Sequence, residues 1–155
     1  MKFSKKGIEI LKDLEGFSEI VYQDSAGYPS IGIGHKLKPG ETFNRVTETQ
    51  AINILMQDVS PIESFVNNYM PKLLQNQFDA IVIFIFNIGM TAFLNSSVFK
   101  DIKDKKFEEA TKPWSKWVNI TKRIKDPETG ELVKKLIPIE GLVRRRAIEI
   151  NLFNA

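Results

Sequence analysis

Apolar residues recur at helical spacing near the start of the chain. Ile8, Leu11 and Leu14 fall on one face of a helix, which we expect to begin after the N-cap residue Ser4. The glycine that follows Glu15 is typical of a helix C-terminus, so this first helix should end at Glu15. The pattern therefore places a carboxyl group at the end of a helix.

Further helix signals follow in the middle of the chain. Thr47 and Gln50 have the spacing of a capping box, and Pro61 follows a serine as a first-turn proline does. We therefore expect two helices here, separated at Pro61. Residues 76–88 form an apolar stretch that should be a helix buried on all sides and should end at Gly89.

Other segments have different patterns. From Val21 to His35, β-branched and aromatic residues mix with glycines and a proline, which predicts short strands joined by turns. Residues 122–138 are charged and contain a proline and a glycine, so they predict an exposed polar hairpin or loop. A last helix covers residues 141–153. Together these elements predict an α+β fold that is mostly α.

Composition narrows the possible classes of protein. A chain of 155 residues without an internal repeat or linker predicts one domain, residues 1–155. The absence of cysteine excludes disulfides and thiolate chemistry. The most apolar window is much shorter than the ~20 residues that span a bilayer, and the N-terminus lacks a signal-peptide pattern, so we expect no stable membrane insertion.

The net charge is +3, with basic residues concentrated late in the chain. Such an excess of basic residues usually forms only a solvated face of the protein. The functional interpretation is that it attracts a polyanion such as an acidic cell wall, nucleic acid or anionic lipid. No nucleic-acid-binding motif is present and the charge is modest for that work, so we do not expect a nucleic-acid partner.

The candidate chemistry lies in the stretch between residues 14 and 35. A helix C-terminus carries partial negative charge, which favours a protonated carboxyl group of the kind that a general acid needs, and Glu15 has this position. Asp24 lies in a polar turn, where solvent and hydroxyl groups favour the ionised form, and Ser30 follows with a hydroxyl group. Two carboxyl groups in different environments are the pattern of glycoside hydrolysis, although Glu/Asp pairs at this spacing are most often solvated residues.

The residues around this pair resemble a known family. The pattern Glu-Gly-Phe, then Tyr-Gln-Asp-Ser-Ala-Gly-Tyr-Pro-Ser-Ile-Gly-Ile-Gly-His, closely resembles the signature of phage-type lysozymes, glycoside hydrolase family 24. The resemblance continues in residues 78–89 and 141–153, in the family's order. It implies a two-lobed lysozyme-like fold, with a small β-lobe near residues 17–60 and a helical lobe formed by residues 1–16 and 61–155.

The resemblance also implies catalytic roles. Carried over by position, Glu15 is the proton donor, Asp24 the second catalytic carboxylate and Ser30 the third member of the site. The family usually has threonine at the third position, and serine lacks the methyl group that restricts the rotamer. Asp24 either activates a water or attacks the sugar directly, depending on the distance between the two carboxyl groups.

Five other residues are candidates for substrate binding. Tyr22 and Tyr28 either pack on the sheet or line a sugar cleft, and the second reading is favoured for Tyr28. Gly34 allows the backbone to approach a polysaccharide closely. His35 is expected to be hydrogen-bonded in a supporting role, because one imidazole makes a poor metal site. Asn87 either caps its helix or faces the cleft, as the resemblance implies.

Arginine and tryptophan residues in the second half have structural and functional alternatives. For Arg145 or Arg146 we favour an ion pair with an acid such as Glu149 or one in the region of Glu15. The functional alternatives are an arginine that tunes Glu15 and a basic group that faces the anionic wall. Trp114 and Trp117, three apart on one predicted helix face, should pack in the core rather than stack on sugars.

The sequence thus predicts an endolysin that hydrolyses the β-1,4 bond between N-acetylmuramic acid and N-acetylglucosamine in peptidoglycan. Acid–base chemistry of this kind needs no metal or other cofactor. We expect a monomer that stays in the host bacterial cytoplasm until a holin or another membrane lesion releases it to the cell wall. The alternatives are a lytic transglycosylase, which does not require Asp24, and a decayed lysozyme that binds glycan without cutting it. Residues 122–137 would tune contact with the wall.

Overall fold

The first helix and the first strand are separated by only two residues, Gly16 and Phe17. In the computed structural model, which describes residues 1–155, α1 spans Lys5–Glu15 and β1 spans Ser18–Gln23. The Ser4 side chain accepts a hydrogen bond from a first-turn backbone N–H, as predicted. Gly16 has φ +74°, a conformation that glycine adopts without the strain of a side chain, and it turns the chain directly into the sheet.

The small sheet is antiparallel and contains three strands. β2 spans Pro29–Gly32 and β3 spans His35–Lys36, in the spatial order β1-β2-β3. The register pairs Tyr22 with Ser30. The short turned strands predicted for this region are therefore present.

Seven helices include 54% of the residues, which confirms the prediction of a mostly α, α+β fold. After α1 come α2 (Glu48–Tyr69), α3 (Gln75–Ile88), α4 (Met90–Leu94), α5 (Ser97–Lys103), α6 (Phe107–Ser115) and α7 (Glu140–Asn154). The capping box of Thr47 and Gln50 begins α2, as predicted. None of these helices is long and apolar enough to cross a membrane.

The predicted break at Pro61 is wrong, because α2 continues through that residue. The buried positions Leu55, Val59, Ile62 and Val66 keep helical spacing on both sides of the proline, so core packing stabilises one long helix. Pro61 itself is exposed, where water replaces the missing backbone hydrogen bond. A boundary between lobes near residue 60 therefore falls inside a continuous helix.

The core is built around α3. Every residue from Phe78 to Ile85 is buried, as the apolar stretch predicts, and α3 packs against α1, α2 and α7. The helix ends at the predicted Gly89, which has φ +88°. This central position holds the end of α3 beside α1 and α7.

The charged segment near the C-terminus forms a two-stranded antiparallel hairpin. β4 spans Asn119–Lys125 and β5 spans Leu132–Pro138, joined by a turn through Gly130. The sequence predicts either a hairpin or a loop here, and the structure shows a hairpin whose two strands are paired along their full length. Its first residues lie beside the cleft described below.

Candidate active site

A cleft of about 400 Å³ lies where α1, the β1–β2 turn, α3, β4 and α7 meet. Its polar lining includes both predicted carboxylates, Glu15 and Asp24, together with Asn87. The full lining is Glu15, Asp24, Ser25, Ala26, Lys36, Phe86, Asn87, Ile88, Trp117, Asn119, Ile120 and Leu142. Residues far apart in the sequence thus converge on one cavity, whose lining is half polar and half apolar.

Glu15 is the last residue of α1 and is held from two sides. Its Oε1 accepts a hydrogen bond from Arg145 Nη1 at 2.7 Å, and its side chain retains 20% of its exposure. Gly34, with φ +64°, packs against the carboxyl group so closely that a Cβ there would lie 3.0 Å from Glu15 Oε2. Gly34 therefore leaves space for the Glu15 side chain, and it does not line the cleft itself.

Asp24 follows β1 and is fixed by its own turn. Its Oδ1 accepts hydrogen bonds from the backbone N–H groups of Ala26 and Tyr28, both at 2.9 Å. Its Oδ2 lies 3.9 Å from the ammonium group of Lys36. The two backbone donors hold Oδ1, and Oδ2 has no backbone donor, so the turn fixes the direction in which Asp24 presents Oδ2.

The two predicted tyrosines differ in environment. Tyr22 is half-buried and borders a smaller cavity on the other side of Glu15. Burial, followed by the charges of Glu15 and Asp24, raises the pKa of the Tyr22 phenol above its ordinary value, so the phenol stays protonated and can donate a hydrogen bond. Tyr28 is 57% exposed, with the Lys36 ammonium 5.0 Å above its ring.

Ser30 is buried in β2 and is only 1% exposed. Its hydroxyl group donates a long hydrogen bond, 3.4 Å, to the carbonyl oxygen of Tyr28. The same carbonyl accepts a hydrogen bond from the backbone N–H of Asp24 at 2.8 Å. Ser30 is therefore connected to the Asp24 turn, and it is not among the residues that line the cleft.

His35 is buried and both of its ring nitrogens are occupied. Nδ1 lies 2.7 Å from Asp58 Oδ2 and Nε2 lies 2.7 Å from Glu41 Oε1, while Phe43 packs edge-on against the ring. The residue joins β3 to α2 and lies outside the cleft lining. Burial alone would lower the pKa of His35, but the hydrogen bonds and charges of Glu41 and Asp58 outweigh it, so the pKa is raised.

This cluster predicts a pH-dependent stability. Because the folded-state pKa of His35 exceeds its unfolded value of about 6.5, its contribution is complete below that pH and is lost as the pH rises through the folded pKa. The pKa of Glu41 is lowered by the hydrogen bond from His35, so its contribution exists above its unfolded pKa and is lost in acid. Urea unfolding at a series of pH values should show the free energy of unfolding decreasing from pH 6 to pH 8.

The matched variant is His35→Asn, which removes the only histidine. Its free energy of unfolding should be lower than that of the wild type at pH 6 and should change little between pH 6 and pH 8. An equal decrease in both proteins over this range would contradict the assignment to His35.

Behind Glu15, a buried ionic network connects α7 to α3. Glu149 is fully buried, and its Oε1 accepts a hydrogen bond from Arg145 Nε at 3.3 Å while its Oε2 accepts one from Trp114 Nε1 at 3.0 Å. Arg146 Nε lies 3.1 Å from Glu149 Oε2, and its Nη2 donates to Asn87 Oδ1. The expected ion pair is therefore present, both Arg145 and Arg146 form one with Glu149, and Arg145 bridges Glu149 to Glu15.

Burial dominates the electrostatics of this network. It lowers the pKa of Arg146 to about 10 and raises the pKa of Glu149, in both cases against the attraction between the two groups. Arg146 still carries its charge at neutral pH, and its guanidinium lies 4.8 Å from the ring centre of Phe84. Asn87, at the end of α3, thus lines the cleft and also belongs to the network.

Nine of the twelve residues that line the cleft were not predicted from the sequence as site residues, and Lys36, Trp117 and Ile120 are among them. Alternation along β3 was the available signal for Lys36, since the neighbouring His35 points inward.

Trp117 lies beyond the end of α6 and lines the cleft, whereas Trp114 is fully buried, so the prediction that both share one helix face is wrong. Trp117 is two residues past the end of α6, so the direction of its side chain no longer follows the helical period. Ile120 had no local signal, because only the position of the hairpin brings it to the cleft.

No group of three or more His, Cys, Asp or Glu side chains is arranged to hold a metal ion.

Comparison with known proteins identifies the family of this chain. Residues 12–149 match the phage lysozyme family. The chain belongs to that family.

Several relatives of this phage lysozyme family member align with nearly its whole length. An endolysin of Acyrthosiphon pisum secondary endosymbiont phage 1 is 32% identical over 158 aligned positions, which cover 100% of this chain and 99% of the relative. An endolysin of Escherichia coli O157:H7 phage FAHEc1 superposes with a TM-score of 0.83 at 30% identity, covering 99% of this chain and 93% of the other. The muramidase domain of SpmX from Asticaccaulis excentricus gives a TM-score of 0.82 at 34% identity, covering 99% and 98%.

These likenesses confirm the predicted lysozyme-like fold and the predicted family. The protein is a glycoside hydrolase of the lysozyme type, an endolysin that acts on the bacterial cell wall. The family likeness does not by itself assign roles to individual side chains.

Proposed function

We propose that this lysozyme hydrolyses the β-1,4 bond between N-acetylmuramic acid and N-acetylglucosamine in peptidoglycan, with Glu15 and Asp24 as its two catalytic carboxyl groups. The observation that carries the proposal is that both groups line one cleft but have different surroundings. One is held by an arginine at a helix end and the other by backbone N–H groups in a turn. Two carboxyl groups held independently in one cleft are the arrangement that glycoside hydrolysis uses.

Glu15 acts as the proton donor to the leaving sugar oxygen. Arg145 donates to Oε1, whereas Oε2 accepts no hydrogen bond from the protein, so Oε2 is the oxygen available to carry the proton. Close packing of Gly34 against the carboxyl group restricts its rotation. A positioned general acid contributes about 10²–10⁴-fold to the rate.

Asp24 acts on the opposite side of the bond. With Oδ1 engaged by two backbone donors, Oδ2 stabilises the positive charge that develops at the sugar, and it either attacks C1 or activates a water. Ser30 is linked to this turn through the Tyr28 carbonyl, so we propose that it positions Asp24. Asn87 would contact the glycan from the wall of the cleft. Tyr22 and Tyr28 lie outside the lining and would contact sugars that extend beyond the cleft, while Gly34 and His35 support its walls.

The experiment is digestion of purified peptidoglycan by the wild type and by Asp24→Asn, with the products identified by mass spectrometry. We expect the wild type to release reducing muramic acid ends, and we expect the variant to lose at least 10²-fold in rate because the developing charge is no longer stabilised. Glu19→Gln, an exposed change in neighbouring β1, is the control and should retain full activity.

Two outcomes would change the proposal. Anhydro-muramic acid ends that persist in Asp24→Asn would identify a lytic transglycosylase, which uses the muramyl hydroxyl group instead of water. If the wild type bound peptidoglycan but released no product, a glycan-binding module would replace the enzyme.

The route to the substrate is also part of the proposal. We propose that the protein acts as a monomer, accumulates in the cytoplasm of the host bacterium and reaches the peptidoglycan when a holin or another membrane lesion opens the way. The proposal rests on family membership and on the endolysin relatives.

A further inference from the structure

The β4–β5 hairpin contains two successive cross-strand pairs of like charge. Lys122 lies opposite Lys135, and Arg123 lies opposite Lys134. Like charges directly opposite each other in a sheet destabilise it. A structure with two such pairs in succession therefore bears an electrostatic cost that a bound anion would relieve.

The two pairs lie on opposite faces of the hairpin, because successive side chains in a strand alternate. Ile120 is half-buried and lines the catalytic cleft, and it shares its face with Lys122 and, across the ladder, with Lys135. Two residues along a strand advance about 7 Å, so the lysine pair lies one step outward from the cleft wall. Arg123 and Lys134 are on the other face, two steps outward from the cleft residue on that face, Asn119, whereas the lysine pair is one step from Ile120.

No acidic side chain of the protein neutralises the lysine pair. Neither Lys122 nor Lys135 takes part in a salt bridge, and both are exposed. The acidic residues of the hairpin are at its turn, where Asp126 Oδ1 accepts hydrogen bonds from backbone N–H groups instead. The two ammonium groups are therefore available to a ligand.

We propose that Lys122 and Lys135 bind a carboxylate of the peptide attached to the muramic acid residue that lies in the cleft. The inference rests on the proposed function, because a peptide stem is part of the substrate named there. It commits to this anion because the lysine pair continues the cleft wall beyond Ile120, so that an anion covalently joined to the bound glycan reaches it. The hairpin would thus select glycan that carries peptides.

The test compares two paired substitutions that remove the same charge from the two faces. Lys122→Gln with Lys135→Gln removes the proposed site, and Arg123→Gln with Lys134→Gln is the control. Each is assayed on native peptidoglycan and on the same peptidoglycan after its peptide carboxyl groups have been converted to neutral methylamides. Relief of the like-charge repulsion should leave each variant at least as stable as the wild type in thermal unfolding.

We expect the cleft-side variant to raise KM on native peptidoglycan by about fivefold at low salt, with kcat unchanged, as the loss of two partly solvated ion pairs requires. On the amidated substrate it should match the wild type. The control variant should have a smaller effect on native peptidoglycan.

Three results would overturn the inference: no change in KM, an equal change for the control pair, or the same loss on native and amidated peptidoglycan. The first two exclude a face-specific site, and the third excludes a carboxylate as the ligand. A failure of the proposed function would appear differently, as a wild type that releases no muramic acid ends from native peptidoglycan.

Discussion

Replacing Glu15 with glutamine lowers kcat for peptidoglycan hydrolysis by about 10²–10⁴-fold, with KM little changed. The amide oxygen still accepts the hydrogen bond from Arg145 Nη1, which is 2.7 Å from Oε1 in the wild type. Shape and the Arg145 contact are therefore retained, and only the proton that passes to the leaving oxygen is lost. The rate of release of reducing ends at saturating substrate measures this loss directly.

The matched control is Glu9→Gln, an exposed position on the same helix. It should leave kcat unchanged, which would show that the loss of one negative charge does not by itself reduce the rate. Urea unfolding of both variants checks that the fold is intact. A Glu15→Gln enzyme with more than half of the wild-type kcat would contradict the role of Glu15 as proton donor.

Replacing Glu149 with glutamine should lower the free energy of unfolding by about 3–5 kcal/mol, because it leaves buried positive charge without its carboxylate. Glu149 is fully buried and contacts the guanidinium groups of Arg145 and Arg146 as well as the indole N–H of Trp114. The network has no spare acceptors, since Arg145 Nη2 and two nitrogens of Arg146 already lack hydrogen-bond partners. Urea unfolding at pH 7 and 25 °C gives the difference.

Glu9→Gln serves again as the control and should change the free energy of unfolding by less than about 0.5 kcal/mol. Activity provides a second measurement on Glu149→Gln. Arg145 loses the group that orients it, so kcat should also fall in the fraction that remains folded. A variant as stable as the wild type would show that the network is not needed to neutralise the buried arginines.

Local signals determined much of the architecture. The Ser4 cap and the glycine after Glu15 set the ends of α1, and the same kind of evidence set the start of α2 and the end of α3. Such signals work because capping and positive φ depend on a few adjacent residues. Pro61 shows where this reasoning fails: a local helix breaker was outweighed by the buried stripe of α2, whose packing partners are distant in sequence.

The catalytic stretch could also be recognised from the sequence, since Glu15 and Asp24 lie in one short motif and both reach the cleft. The spacing of Arg145 and Arg146 relative to Glu149, four and three residues on one helix, likewise predicted an ion pair. By itself, therefore, the sequence determined the family pattern, the helix ends and the candidate carboxyl groups, all of which are encoded by neighbouring residues.

Only the tertiary structure decided how these parts are combined. It placed Arg145 on Glu15 across most of the chain length, buried His35 between Asp58 and Glu41, and brought the hairpin root at Ile120 to the cleft. It also turned Trp117 towards the cleft while Trp114 entered the core. These contacts depend on the packing of elements that are distant in sequence, such as α7 against α3, and long-range packing has no period or spacing that can be observed along a single sequence.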